Sequence, residues 1–492
     1  MVFSQIKKIK SLLFENNTVR QTIFKNTFWL TMADMVNKLL KLVLLIYVAR
    51  ILGATEYGKF NFAFAFVYLF SVIANLGVGE ITVREFAKEE GREKEFPSII
   101  SLKILLSLGA MIFIFFGSFL ITHDSEIHQL IWILAIYLLM DSFIYLFCCF
   151  FRARQQMQYE ALSRAIQALM LTGVGFFMLF NFPSPQGLSY SYVISALVAL
   201  VFLLMIFLFK ARSIKIEWDR SIWRKYLVMS WPLALVAALT MIYNQIDSVM
   251  MGHLNQMTET GWYNAAYRIA GSVLVLNGLI SISFYPVLSK YFKESKELLQ
   301  KVWNYHMEIM IFLSFPLMVG GVILAPKIIN FIYDKTFAPS ILAFQILIVM
   351  VGVSFLQSPF NYILIAANQQ KKLFWAILSG AIINVILNLI LIPRFSLYGA
   401  SVATLFTWLV LLSACAYFTY RYTPISPVKS RLLRMGIISV LSAAIMAAVI
   451  LSANIYNLIF FFSISIGFIV YIAAFLVLRF ITKKLNYAYV KK

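Results

Sequence analysis

The first apolar segment of the chain, residues 27–49, carries more charge than a membrane-spanning helix usually tolerates. It holds Asp34, Asn37, Lys38 and Lys41, which are spaced i, i+3, i+4 and i+7 and therefore share one helix face. Lys38 falls near the middle of the segment, where an unpaired charge costs at least about 2.5–3.5 kcal/mol. Such a face is tolerable only where it meets protein or water.

Two interpretations of this charged face differ in function. In the first, Asp34 and Lys38 neutralise each other as an i, i+4 pair that only assists packing. That leaves Lys41 and a net positive stripe unexplained. In the second, the face lines a cavity that receives an anion, and Asn37 is a further lining residue. The positive stripe favours the second interpretation.

Two later helices repeat this spacing of polar residues. Their side chains are candidates to line a cavity: Thr240, Tyr243, Asn244 and Asp247 in the seventh apolar segment, and Asn264, Tyr267 and Arg268 in the eighth. Arg268 suits phosphate because its planar guanidinium binds two oxygens at once. Asp247 is expected at a similar depth. Either the two residues form a structural pair, or Asp247 offsets the charge of a substrate-binding Arg268.

Two further ionisable residues lie within apolar segments. Asp141 falls in the middle of the fourth segment, and an intramembrane carboxylate is a functional candidate. It is either a proton or sodium site, or a partner for Lys38 or Lys41. Lys103 lies near the inner end of the third segment, so we expect its side chain to extend to the lipid headgroups.

The composition defines the class of protein in which these residues act. Of 492 residues, 61% are hydrophobic and 13% are charged, as in an all-α integral membrane protein with many spans. Cys148, Cys149 and Cys415 all lie in apolar segments, so no structural disulfide is expected. The sequence contains no Walker motif, HExxH motif or metal-ligand cysteine cluster, so we expect a transporter without cofactor or metal rather than an enzyme.

The distribution of charge along the chain orients it in the membrane. We count about fourteen apolar spans. With a cytoplasmic N-terminus, 33 Lys and Arg residues fall on the inner side and 5 on the outer side. This bias predicts that both termini are cytoplasmic. The net charge of +21 is therefore mostly an orientation signal, and no nucleic-acid partner is expected.

The chain also repeats itself. Residues 57–63 resemble 260–266, with Gly58 matching Gly261 and Asn61 matching Asn264, and the Ala-Arg-Gln-Gln run at 153–156 resembles Ala-Asn-Gln-Gln at 367–370. A repeat of six helices predicts two bundles related by a pseudo-two-fold axis along the membrane normal. The expected domains are a cytoplasmic amphipathic N-terminus at 1–26, a first six-helix bundle at 27–210, a cytoplasmic linker at 211–225, a second bundle at 226–420, and two more helices with a cytoplasmic tail at 421–492.

Four stretches resemble a known family. They are YVARILGATEYGKFNFA from Tyr47, GWYNAAYRIAG from Gly261, IAANQQKKLFW from Ile365 and INVILNLILIPRFSLYGASVATLFTW from Ile383. Together they resemble the Wzx-type polysaccharide flippases of the multidrug/oligosaccharidyl-lipid/polysaccharide exporter superfamily. The last stretch is the most specific of the four.

This resemblance implies two bundles around a central cavity that is open to each side in turn. It implies transfer of an undecaprenyl-pyrophosphate-linked oligosaccharide to the outer leaflet of a bacterial or archaeal cytoplasmic membrane, for O-antigen, capsule or exopolysaccharide. Lys38, Lys41 and Arg268 would face the pyrophosphate, and Asp141 and Asp247 would bind a coupling H⁺ or Na⁺. Membrane lipid, glycosyltransferases and a polysaccharide polymerase would be partners.

Three other functions compete with this one. A cation-coupled multidrug or metabolite antiporter of the same superfamily requires an anionic cavity, and the intramembrane charges are balanced. Lipid II flippases carry several arginines in the first helix, where this chain has Lys38, Lys41 and the nearby Asp34. A membrane-embedded glycan polymerase needs a large external loop, and the loops predicted here are short.

Overall fold

The computed structural model describes residues 19–89, 91–211, 215–426, 430–452 and 460–490. Within these ranges, side chains are described from Asp34 onward, except at positions 211, 430, 460, 461 and 483–490. The amphipathic helix predicted within residues 1–26 lies largely outside these ranges, as does part of the predicted linker at 211–225.

The described chain consists of α-helices joined by short connections, and no β-strand is present within those ranges. The helices are α1 (Val19–Leu69), α2 (Ser71–Asn75), α3 (Val78–Lys88), α4 (Phe96–Ile121), α5 (Ser125–Ala153), α6 (Met157–Asn181), α7 (Pro185–Ala211), α8 (Arg220–His253), α9 (Met257–Glu294), α10 (Lys296–Ile332), α11 (Ser340–Ala366), α12 (Gln370–Tyr422), α13 (Ser430–Leu451) and α14 (Phe460–Val490).

Polar residues mark where several of these helices begin. Asp124 precedes α5, and its carboxylate accepts a hydrogen bond from the Glu126 amide at 2.8 Å. Ser295 caps α10 in the same way. Asp219 precedes α8, and hydrogen bonds from Ser221 hold the pKa of the Asp219 carboxyl below its usual range. These caps satisfy amide groups that the first helical turn leaves without partners.

Twelve helical stretches in the described ranges are long and apolar enough to cross a membrane. Two of the longest contain a non-helical residue: Gly53 in α1, with φ 79° and ψ 173°, and Ser396 in α12, with φ 50°. Counting the two arms of each kinked helix separately gives fourteen segments. The predicted all-α membrane fold is confirmed, and the count of fourteen spans stays a prediction.

Three helix connections share one backbone turn. Gln155, Asn255 and Asn368 each adopt the left-handed conformation, with φ of 56°, 58° and 57°. Each follows a helix end by two residues and precedes the next helix by two. This geometry is typical of a helix C-terminus, where Asn is well tolerated. Alignment of the chain on this turn pairs Gln155 with Asn368, whereas the sequence match at 153–156 and 367–370 pairs Gln155 with Gln369.

The other pair of matching stretches, residues 57–63 and 260–266, keeps its register in the structure. The Asn61 amide donates to the Tyr57 carbonyl at 2.7 Å, and the Asn264 amide donates to the Thr260 carbonyl at 2.9 Å. Both asparagines are buried. The repeat seen in the sequence therefore corresponds to a repeated side-chain contact, because an amide within an apolar segment must find a partner.

The chain divides into two compact units, residues 1–253 and 254–492. The first contains α1 to α8 and the second α9 to α14. The helix Arg220–His253, which the repeat argument assigns to the second bundle, thus belongs to the first compact unit. The domain limits proposed from the sequence stay a prediction about the repeat.

The first unit contains an interrupted helix. After α1 the chain forms the short α2, and Leu76 and Gly77 then adopt left-handed conformations before α3. At Gly77 a Cβ atom would lie 3.0 Å from the Ser230 carbonyl oxygen of α8. Glycine is needed there both for its positive φ, 70°, and for this close approach.

The core of the second unit is built around α10. Trp303 is fully buried, packs against Phe360, and donates its indole N–H to the Pro359 carbonyl at 3.2 Å. A second cluster joins α10 to α13 and α14, where the Tyr471 hydroxyl donates to the Phe312 carbonyl at 2.8 Å. The two C-terminal helices are therefore packed onto the second unit.

Candidate functional site

The charged face of α1 is present as the sequence predicts. The Lys38 ammonium lies 2.7 Å from the Asp34 carboxylate, and the two side chains are 52% and 47% exposed. Asn37 lies beside them and is partly buried. A half-exposed ion pair within a membrane-spanning helix is much costlier against lipid tails than against water. This part of the first unit therefore provides a polar surface.

Lys41 has different surroundings from Lys38. Its ammonium lies 5.0 Å from the ring centroid of Tyr192 and 5.3 Å from that of Phe64. A cation over an aromatic face is attracted by the ring quadrupole, by about 0.5–2 kcal/mol depending on desolvation. Lys41 thus points toward α7 and the second arm of α1, inside the first unit.

An aromatic cluster surrounds these two rings. Tyr192 lies 5.6 Å from both Phe60 and Phe64 and 5.2 Å from Tyr137, and Phe64 stacks on Tyr68 at 5.4 Å. Phe60, Phe64 and Tyr68 are spaced i, i+4 and i+8, so one face of α1 carries all three. This spacing was the signal in the sequence that could have indicated the cluster.

Asp141 belongs to the same interior. Its carboxylate accepts a hydrogen bond from the Gln167 amide at 3.5 Å. The positive charges of Arg164, Lys41 and Lys103 act on this carboxylate electrostatically. Asp141 and Lys41 are thus neighbours in electrostatic terms. Both functions considered for Asp141, ion binding and partnership with Lys41, stay predictions.

A cluster of two arginines and a glutamate lies at the ends of α5 and α6. Glu160 is 1% exposed, and the guanidinium groups of Arg152 and Arg164 lie 2.6 and 3.0 Å from its Oε1 atom. Two cations on one carboxylate leave a net positive charge, and Arg164 also acts on Asp141. Sequence reasoning missed this cluster because it treated both arginines only as topology signals.

The remaining candidate residues divide between the two units. In the first, Asp247 is 2% exposed and the Asn244 amide donates to the Thr240 carbonyl at 2.8 Å. Tyr243, on the same helix, is partly buried.

In the second unit, Tyr267 stacks on Tyr263 with ring centroids 5.9 Å apart, and the Tyr263 hydroxyl is hydrogen-bonded to Thr404 at 3.2 Å. Asn264 is buried and Arg268 partly buried. Asp247 and Arg268 belong to different compact units, so their pairing stays a prediction.

Lys103 departs from expectation. Its side chain is 2% exposed and does not extend to the surface. Its ammonium donates to the Ala74 carbonyl at 2.8 Å and to the Asn75 side-chain oxygen at 2.6 Å. The expectation of a side chain reaching the headgroups was wrong, because the C-terminal end of α2 offers nearer acceptors.

The fold is that of an all-α membrane protein whose first unit has charged residues in its interior. A family model described as polysaccharide biosynthesis protein matches residues 23–292, and one described as MatE matches residues 232–390. The first covers more than half of the chain. The chain therefore belongs to the polysaccharide biosynthesis protein family, within the multidrug/oligosaccharidyl-lipid/polysaccharide exporter superfamily, and the resemblance seen in the sequence is confirmed.

Individual relatives agree with this assignment. The chain is 22% identical over 81% of its length to the capsular polysaccharide biosynthesis protein CapF of Staphylococcus aureus, of which it covers 99%. It is 22% identical over 74% of its length to the probable low-salt glycan biosynthesis flippase Agl15 of Haloferax volcanii, of which it covers 76%.

Among solved structures, the chain shares its fold with the lipid II flippase MurJ. The TM-score is 0.74 at 16% identity, over 94% of this chain and 99% of MurJ. A multidrug resistance transporter of the MATE family is also similar, with a TM-score of 0.64 at 17% identity, over 78% of this chain and 94% of the transporter.

Proposed function

We propose that this protein is a flippase that moves a lipid-linked oligosaccharide from the cytoplasmic to the outer leaflet of the cell membrane by alternating access. The carrier we propose is undecaprenyl pyrophosphate, and the product would serve O-antigen, capsule or exopolysaccharide synthesis. The observation that carries the proposal is the half-exposed Lys38–Asp34 pair next to Lys41 on a membrane-spanning helix. Such a polar surface suits an anionic group that must cross the bilayer.

The residues take separate roles in this proposal. Lys38, Lys41 and Arg268 hold the pyrophosphate, since its oxygens accept hydrogen bonds from ammonium and guanidinium groups. Asp34 neutralises Lys38 in the empty protein. Asn37, Tyr243, Asn244, Asn264 and Tyr267 provide further polar lining for the path of the sugar.

A gradient of H⁺ or Na⁺ drives the cycle in this proposal, through Asp141 and Asp247. Asp141 is the stronger candidate, because it lies in the same interior as Lys41. Loading of a cation on Asp141 would weaken its attraction for Lys41 and free the ammonium for the substrate. Glycosyltransferases that make the lipid-linked unit and a polymerase that consumes it are the expected partners.

Transport by purified protein in liposomes tests this function. Lipid-linked oligosaccharide placed in the inner leaflet should become accessible to an impermeant sugar-modifying reagent outside, and empty liposomes should show no such change. Transport of a cationic dye without any effect on the lipid-linked sugar would favour the antiporter function suggested by the MatE match.

A further inference from the structure

The helix α6 carries its apolar and its charged residues on opposite sides. Its exposed large apolar side chains lie along one side of the helix, and they are Leu162, Leu169, Phe177 and Phe180. In a membrane-spanning helix such a stripe meets lipid. Glu160, Arg164 and Gln167 are spaced i, i+4 and i+7, so they share the opposite side. The charged residues of α6 therefore face away from lipid.

Glu160 holds the guanidinium groups of two arginines side by side. Arg152 binds both carboxylate oxygens, with Nε 3.0 Å from Oε2 and Nη2 2.6 Å from Oε1. Arg164 donates from Nε and Nη2 to Oε1 alone, at 3.1 and 3.0 Å. Within the described residues, the Nη1 group of neither arginine has an acceptor. Each Nη1 carries two N–H groups, so the pair can donate further hydrogen bonds.

The cluster has a surplus of positive charge that it presents to water. Arg152 alone forms the bidentate contact that neutralises Glu160, and Arg164 adds a second cation. Glu160 is 1% exposed, whereas the side chains of Arg152 and Arg164 are 29% and 34% exposed. Since Arg164 lies on the side of α6 away from lipid, its exposed part meets water. The arrangement is suited to an anion that approaches from that side.

Contacts between α1 and α6 relate this cluster to the charged face of α1. A Cβ atom on Gly175 of α6 would lie 2.7 Å from the Leu44 side chain of α1. Farther along both helices, the Phe176 ring lies 5.4 Å from the Tyr47 ring. The order of these contacts is the same in the two helices, so they run in the same direction.

This register gives the depth of the cluster relative to Lys41. Arg164 lies eleven residues before Gly175, whereas Lys41 lies three residues before Leu44. At about 1.5 Å per residue, Arg164 is about 12 Å nearer to the N-terminal end of α6 than Lys41 is. The distribution of Lys and Arg assigns that end to the cytoplasmic side. An anion that enters from the cytoplasm would meet the arginines before it meets Lys41.

We propose that Arg152 and Arg164 form a first binding site for the pyrophosphate of the lipid-linked substrate, which the pyrophosphate occupies before it reaches Lys38 and Lys41. The inference rests on the proposed function and adds an entry site to it. A guanidinium donates two parallel hydrogen bonds to phosphate oxygens, and each phosphate of the pyrophosphate carries a negative charge. Glu160 is a positioning residue, because it fixes both guanidinium groups without touching the substrate.

A purely structural role of the cluster predicts different behaviour. If the arginines only neutralised Glu160, Arg164→Gln would leave the bidentate Arg152–Glu160 pair in place and would not change the affinity for a ligand. Arg154 provides a matched control on the same helix connection. Its guanidinium forms a salt bridge with Glu93 and lies 4.5 Å from the Phe150 ring, so one cation meets one carboxylate there.

The experiment measures binding of undecaprenyl pyrophosphate, without sugar, to the purified full-length protein in nanodiscs of zwitterionic lipid. Arg164→Gln should weaken the affinity about tenfold, as expected for loss of one charged hydrogen-bond donor group. Arg154→Gln should bind like the wild type. Uncharged undecaprenol controls for the lipid chain, and all three proteins should bind it equally.

Two negative outcomes have different meanings. Equal affinity of the wild type and Arg164→Gln for undecaprenyl pyrophosphate would overturn this inference alone. Absence of binding by the wild type would overturn the proposed carrier and this inference together. A parallel titration with phosphatidylglycerol tests the ligand: an equal loss of affinity for that lipid would mean that the arginines bind any lipid phosphate, and the assignment to the substrate would be wrong.

A second pair of variants tests the site if Arg164→Gln is poorly folded. Glu160→Gln keeps both arginines, and Glu160→Gln/Arg164→Gln keeps only Arg152. Neither variant leaves a buried carboxylate without a cation, so both avoid the main cost of breaking the cluster. The double variant should bind undecaprenyl pyrophosphate about tenfold more weakly than the single variant. Equal affinities of these two variants would overturn the proposal.

Discussion

Lys38 and Lys41 are one helical turn apart, yet their surroundings differ. Lys38 pairs with Asp34 at a half-exposed surface, whereas Lys41 lies over the rings of Tyr192 and Phe64. The sequence predicts their shared face correctly, because helical spacing determines it. It does not predict the separate environments, since the aromatic partners of Lys41 lie on a different helix and beyond the kink of α1.

The environments decide what each substitution should do to stability. An ion pair that is half-exposed contributes about 0–1 kcal/mol, so Lys38→Ala should reduce the folded population only slightly. The sequence alone suggests a larger loss, because it places Asp34 in a region of low dielectric constant. Lys41→Ala removes a cation–π contact of about 0.5–2 kcal/mol.

Both substitutions should reduce transport, since each removes a proposed pyrophosphate ligand. Complementation of a flippase-deficient strain, with protein levels checked by blotting of membranes, measures this loss. Lys290→Ala is a matched control, because that lysine is exposed near the end of α9 and outside the proposed site. Full complementation by a well-produced Lys38→Ala/Lys41→Ala double variant would remove α1 from the binding site.

Asp141 gives a second prediction at this scale. Asp141→Asn keeps the size of the side chain and the contact with Gln167 but removes the charge that acts on Lys41. If Asp141 binds the coupling ion, transport by the variant should depend less on an imposed H⁺ or Na⁺ gradient. Asp219→Asn, at an exposed helix cap, is the control. Unchanged gradient dependence of Asp141→Asn would assign Asp141 a structural role.

At the scale of whole helices, sequence patterns located the apolar segments but not the break between α2 and α3. The apolar run at 60–79 continues from the second arm of α1 through α2 and past Gly77. The glycines at 77 and 79 and the asparagine at 75 were the local signal, because Gly and Asn adopt left-handed conformations readily. The contacts of the buried Lys103 with the end of α2 could not be predicted without that break.

Gly53 provides a test of the kink in α1. Its φ of 79° and ψ of 173° lie in a region that is essentially limited to glycine, although a Cβ atom there would meet no neighbour within 4 Å. Gly53→Ala should therefore cost about 1–3 kcal/mol through backbone strain alone. Gly109→Ala is matched, since Gly109 is helical and equally uncrowded, and it should be neutral or slightly stabilising.

Thermal unfolding of the two variants under one buffer condition measures the difference. A lower Tm for Gly53→Ala than for Gly109→Ala is the expected result. Equal Tm values would mean that the joint between the two arms of α1 straightens at little cost, and the kink would not be a fixed feature of the fold.

For the molecule as a whole, the balance of Lys and Arg predicts which side of the membrane each connection faces. A miscounted span would reverse the Lys and Arg bias of every later loop, and no such reversal occurs. It makes the connection before α8 cytoplasmic and the connection between α4 and α5 external. The membrane fold and the family are confirmed, while the sidedness rests on this charge distribution.

Cysteine labelling of intact cells tests the sidedness directly. The three native cysteines are buried, so they contribute little background. Lys215→Cys and His123→Cys place a thiol at exposed positions before α8 and before α5. An impermeant thiol reagent should label the cysteine at 123 in intact cells and the cysteine at 215 only after the cells are opened. Labelling of the cysteine at 215 from outside intact cells would reverse the orientation, and the proposed direction of transport would then be wrong.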